Sequence, residues 1–98
     1  MIRVELPAPL CRLAGCEREV TLEVRVATLG GVMDALEEQY PALRGAVRDY
    51  ATGERRAYLR FFAGEEDISA MRSDEALPDA VARGDEALLV IGAIAGGL

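Results

Sequence analysis

The sequence predicts an α+β fold in which a mixed sheet rolls around one main helix, and three observations predict it. Apolar residues alternate with polar ones in two short runs near the N-terminus. They then fall at helical spacing over one longer segment and return as two apolar runs in the C-terminal half. At 98 residues the chain has room for one domain, and 51% hydrophobic residues give that domain a core.

Ile2, Val4 and Leu6 alternate with Arg3 and Glu5, and Val20, Leu22, Val24 and Val26 alternate with Thr21, Glu23 and Arg25. Both runs read as half-buried strands of a hairpin, with Pro7, Pro9 and Gly15 marking a loop between them. From Thr28 the period changes. Leu29, Val32, Met33, Leu36 and Tyr40 share one helical face, with Thr28 as N-cap and Pro41 as the stop. Leu36 is expected on the buried face and Glu37 on the opposite one. Gly30 and Gly31 weaken the first turn, so packing of the apolar stripe must hold it.

Leu43, Val47 and Tyr50 suggest a further short helical turn, and Thr52 to Arg56 an exposed loop. Tyr58 to Ala63 reads as a strand closed by Gly64 to Asp67, with Ile68 opening a short partner. Gly84-Asp85 is a turn. Ala87 to Ile91 is a continuous apolar run, as in a central strand covered on both faces and lying parallel to the first strand. Within Tyr58 to Ala63, residues Leu59, Phe61 and Ala63 facing the helix leave Tyr58, Arg60 and Phe62 on the outer face. Arg60 and Phe62 are therefore the expected partner-binding surface, an aromatic beside an arginine being an anchor that interfaces favour.

Composition excludes much chemistry. All 11 basic residues are Arg, and Lys, His, Trp and Asn are absent. There is no side chain titrating near neutrality, no Ser–His or Cys–His pair, no imidazole ligand and no Schiff-base lysine. The net charge of −6 argues against nucleic-acid binding. No apolar run is long enough to span a membrane, and the N-terminus lacks a signal-peptide pattern, so a cytoplasmic protein with reduced thiols is expected. Cys11 and Cys16 read as small apolar residues in the first loop, with no function and no metal site. Glu65, Glu66, Asp67, Asp74, Glu75 and Asp79 match no calcium-loop spacing and read as solvated turns.

After the last strand the chain runs Gly92-Ala93-Ile94-Ala95-Gly96-Gly97-Leu98. The Gly84-Asp85 turn, the apolar strand and this small-residue Gly-Gly tail resemble the ubiquitin-like β-grasp sulfur carriers. So do the Thr28-Leu29-Gly30-Gly31-Val32 helix start and the Phe61 to Ile68 strand and turn. That group includes the molybdopterin synthase small subunit, the thiamin-biosynthesis carrier and the cysteine-biosynthesis carrier of actinobacteria, the last being most similar. The resemblance implies a β-grasp domain over 1–92 and a flexible tail over 93–98.

It also implies a protein co-substrate rather than an enzyme, with no catalytic residue and no bound cofactor of its own. In the family, the carboxylate of the second glycine, here Gly97, attacks the α-phosphate of ATP on a ubiquitin-activating-type adenylyltransferase, and sulfur then replaces AMP to give a thiocarboxylate. A terminal carboxyl ionises near 3.5 and needs no base from the carrier. Ala95 and Gly96 are the expected tail-recognition residues, because glycines thread a narrow channel, and Gly92 to Gly97 reach roughly 20 Å when extended. Leu98 follows the glycine pair, so the resemblance implies a metalloprotease that cuts Gly97–Leu98. The sulfur then passes to a biosynthetic enzyme, in cysteine or other sulfur-metabolite synthesis. The alternatives are the molybdopterin synthase small subunit and a ubiquitin-like modifier joined through Gly97.

Overall fold

A computed structural model describes residues 1–92; the expected tail, 93–98, lies outside them. Strands β1 (Ile2–Glu5), β2 (Glu19–Leu22), β3 (Leu59–Ala63), β4 (Glu66–Asp67) and β5 (Leu88–Gly92) form one sheet in the order β2-β1-β5-β3-β4. β1 and β5 are parallel and all other neighbours antiparallel, so the first and last strands are adjacent, with β5 at the centre, as expected. Ile2, Val4, Val20, Leu22, Leu59, Phe61, Ala63, Leu88 and Val90 are buried on one sheet face. They pack on the main helix, α2 (Leu29–Gln39), through its buried Leu29, Val32, Met33 and Leu36.

The α2 start is built as its sequence predicts. Thr28 Oγ1 accepts from the Gly31 N–H at 3.0 Å, and the Tyr40 N–H closes the last turn on the Leu36 carbonyl at 2.9 Å before Pro41. A Cβ on Gly31 would lie 2.0 Å from the Val26 carbonyl oxygen, so the incoming chain passes too close for any other residue.

Several elements differ from the sequence reading. The segment between β1 and β2 is a helix, α1 (Ala8–Ala14), rather than a loop. Its prolines sit where the first turn needs no N–H donor and Gly15, at φ 68°, ends it. The second strand stops at Leu22 instead of running to Val26, because β1 offers only four residues to pair; Val26 is exposed. Leu43 ends a 3₁₀ turn, Pro41–Leu43, and is buried with Val47, but Tyr50 is exposed. β4 is Glu66–Asp67, ahead of Ile68, whose side chain turns into the core. A short helix, α3 (Asp79–Ala82), buries Val81 and precedes the Gly84 turn. Its single buried residue left no helical period to read.

Glu37 does not sit on a free face. Its carboxylate accepts from Arg48 Nε at 2.9 Å and Nη2 at 3.1 Å, and Asp34 accepts from Nη2 at 2.6 Å. This fork ties the segment after the 3₁₀ turn to α2, and the hydrogen bonds to Glu37 and Asp34 hold the Arg48 guanidinium above its usual range against the cost of burial. Leu36→Ala should cost roughly 2–5 kcal/mol of stability through its cavity. Glu37→Ala should cost about 1–2 kcal/mol by stranding half-buried Arg48. Denaturant titrations of the two variants check both, and a Glu37→Ala cost near zero would show that the fork contributes nothing.

The turn into β5 depends on Gly84. Its φ is 85°, and a Cβ there would lie 2.7 Å from the Met1 carbonyl oxygen. Gly84→Ala should therefore destabilise by about 2 kcal/mol or more, from strain and displacement of β1, measured by the shift in denaturation midpoint.

Candidate partner-docking face

Alternation along β3 places Leu59, Phe61 and Ala63 inward, leaving Arg60 and Phe62 on the outer sheet face, as expected. In the antiparallel register with β5, Arg60 lies opposite Ile91 and Phe62 opposite Leu89. Paired residues share a face. Phe62, Leu89 and Ile91 thus form one apolar patch, with Phe62 and Leu89 half-buried and Ile91 44% exposed. β5 was expected to be covered on both faces; it is covered on one. Its apolar run instead supplies the core with Leu88 and Val90 and the outer surface with Leu89 and Ile91.

The patch has a polar border. Phe62 lies opposite Asp67 on β4, and Arg60 Nη1 is 3.8 Å from Asp67 Oδ2. On the β1–β2 half of the same face, Arg3 pairs with Glu19 at 3.1 Å and Arg18 with Glu5 at 3.8 Å. The outer face is therefore divided, ion pairs on β1–β2 and apolar side chains on β5–β3. Tyr58 does not join the patch; its hydroxyl donates to the Ala46 carbonyl at 3.2 Å and anchors the segment that follows α2.

Arg3, which sequence reasoning did not single out, sets the position of β5. Its Nε donates to the Gly84 carbonyl at 2.9 Å and Nη2 to the Asp85 carbonyl at 3.0 Å. The turn is thereby held against β1, and β5 enters the sheet with Leu88 beside Val4. Leu89 and Ile91 were also missed. Alternation within a wholly apolar run carries no signal, and only the pairing register assigns them a face.

The acidic residues behave as solvated turns. Asp74 pairs with Arg72 at 2.8 Å, and Asp67 Oδ1 accepts from the Ser69 N–H at 2.9 Å. Among the described residues no group of three Cys, Asp or Glu side chains converges on a common point. No described helix is long and apolar enough to cross a membrane. Arg60 and Phe62 are brought together with the patch, while Ala95, Gly96, Gly97 and Leu98 lie outside the described residues. β5 ends at Gly92, immediately before them in the sequence.

Hydrogen bonds from Ser69, with smaller help from Arg60 and Arg55, hold the Asp67 carboxyl below the usual carboxylate range. A depressed native value stabilises only while the group is ionised, so its contribution is present above about 3.9 and is lost on acidification. The midpoint difference between wild type and Asp67→Asn should therefore be measurable at pH 6 and shrink below about pH 4. A gap that widens on acidification would contradict this.

No family model matches the sequence, and no curated protein matches it. Solved structures do. SAMP1 from Haloferax volcanii superposes with a TM-score of 0.73 at 28% identity, covering 97% of each chain. CysO from Mycobacterium tuberculosis gives 0.75 at 21%, over 96% of this chain and 100% of that one. The Amycolatopsis orientalis BexX/CysO complex gives 0.74 at 21%, over 99% and 100%. The fold is thus the ubiquitin-like β-grasp, as the sequence resemblance implied, and the structural likeness spans nearly the whole length of these neighbours.

Proposed function

We propose that this ubiquitin-like β-grasp chain is a sulfur carrier, a protein co-substrate and not an enzyme, activated at Gly97 after removal of Leu98. The observation that supports this most directly is the placement of the apolar patch. Leu89 and Ile91 lie on β5, the strand that immediately precedes the Gly-Gly segment in the chain, so a partner seated on Phe62, Leu89 and Ile91 would sit beside the point from which that segment departs. One structural neighbour is itself known from a complex with a second protein, BexX.

On this reading an adenylyltransferase docks on the patch, with Arg60 at its edge, and admits Ala95 and Gly96 to a narrow channel. The Gly97 carboxylate displaces pyrophosphate from ATP, and a sulfur donor displaces AMP to leave the thiocarboxylate. The chain contributes no acid or base, consistent with its lack of His and Lys. The recipient is a biosynthetic enzyme of sulfur metabolism, and the compartment is the cytoplasm. A second reading, a modifier joined through Gly97 to amines of other proteins, is favoured by the 28% identity to an archaeal modifier protein.

Protein ending at Gly97 should support ATP–pyrophosphate exchange with an adenylating partner from its own host and gain the mass of one sulfur-for-oxygen replacement. The form retaining Leu98 should do neither. Gly97→Ala should fold normally and react poorly. Ile91→Glu in the truncated form should raise KM for the carrier about tenfold or more, since it places a charge in a desolvated contact. Inertness of the truncated protein with every such partner would overturn the carrier reading. Conjugates on host proteins without any thiocarboxylate would select the modifier.

A further inference from the structure

Cys11 and Cys16 have no part in the reading above, and the fold brings them together. Gly15, in the left-handed conformation, ends α1 and folds the chain back. The N–H groups of Gly15 and Cys16 both donate to the Cys11 carbonyl, at 2.8 and 3.1 Å. The second of these is the six-residue closure of a helix C-terminus, and it places the two cysteines at its two ends, positions whose side chains frequently meet. Burial pushes the Cys16 thiol up, and the neighbouring Cys11 thiol adds to that. Cys11 Sγ lies 3.5 Å from the Leu6 carbonyl and 3.6 Å from that of Glu17. Both residues are half-exposed at the margin of the core, so a small solute reaches them while their backbone stays fixed.

We propose that Cys11 and Cys16 form a dithiol site whose substrate is a low-molecular-weight disulfide and whose product is an internal Cys11–Cys16 bond. One thiolate attacks the small disulfide, forming a mixed disulfide and expelling one small thiolate. The second cysteine, as its thiolate, then attacks the protein sulfur of that mixed disulfide and expels the other. The protein loses two electrons and two protons, and the small disulfide is reduced to two thiols. The helix-ending hydrogen bond keeps the two residues close in the folded chain, so the second step is intramolecular and outruns attack by a free thiol. The closed bond repeats in covalent form what the bond to the Cys11 carbonyl does, and staples the end of α1.

The inference is independent of the carrier reading and is tested on the reduced full chain with glutathione disulfide as the probe. Acid quenching, alkylation of remaining thiols and intact-mass measurement should show the loss of two hydrogens, no alkylated cysteine and no retained glutathione. Thermal melting should show a rise of about 5 °C or more over the reduced form. Cys16→Ala should instead keep one glutathione on Cys11 and show no such rise, and Cys11→Ser should behave alike on Cys16. Should Cys11→Ser fail to fold, Cys16→Ala and the wild type decide the question. A wild-type protein that retains a glutathione adduct, forms covalent dimers, leaves both thiols free or melts lower when closed would overturn the proposal.

Discussion

The parallel pairing of β1 with β5 is the constraint on which the rest of the molecule depends. Val4 lies beside Leu88 and Glu5 beside Leu89, across more than eighty residues of chain. Without it the β1–β2 pair and the β5-β3-β4 strands are separate half-sheets, neither able to cover α2. A contact so distant in sequence costs loop-closure entropy before it contributes anything, so it must be reinforced locally. Arg3 and Gly84 do this. Arg3 spans the turn with donors to two successive carbonyls, and Gly84 lets the turn lie where a Cβ would strike the Met1 carbonyl.

Fixing β5 in this way fixes two surfaces at once. Leu88 and Val90 close the core, while Leu89 and Ile91 emerge beside Phe62 on the opposite face. An exposed apolar patch between ion pairs is costly to leave in water, and a partner relieves that cost. Its position on the strand that precedes the Gly-Gly segment links the docking contact to the chain that would be delivered. On the proposed reading the chain needs no reactive side chain, because a partner would supply nucleotide and catalysis while this face supplies the grip.

The exclusive use of arginine has a structural counterpart in the segment between α2 and β3. That stretch is irregular, and its carbonyls have few strand or helix partners. Arg55 Nη1 donates to the Leu59 carbonyl at 2.6 Å and the Arg56 carbonyl at 3.1 Å, and Arg56 Nε to the Gly45 carbonyl at 2.8 Å. Arg48 meanwhile holds two carboxylates of α2. A planar guanidinium satisfies several fixed acceptors in this way, where an ammonium offers only a point charge on a flexible stem.

By itself the sequence determined what depends on local chemistry. It set the α2 stripe with its Thr28 cap and Pro41 stop, the inward set Leu59, Phe61 and Ala63, the outward placement of Arg60 and Phe62, and the Gly84 turn. Each is written in spacing or in a residue whose backbone preference is its own. Tertiary structure decided what depends on pairing. It made Glu37 a partner of Arg48, gave Leu89 and Ile91 an outer face, stopped β2 at Leu22 and closed the Cys16 N–H on the Cys11 carbonyl. Periodicity specifies which residues share a side of one element, but not which element lies against that side. An apolar run such as Leu88 to Ile91 has no internal contrast, so only its register with β3 and β1 assigns its residues to core or surface.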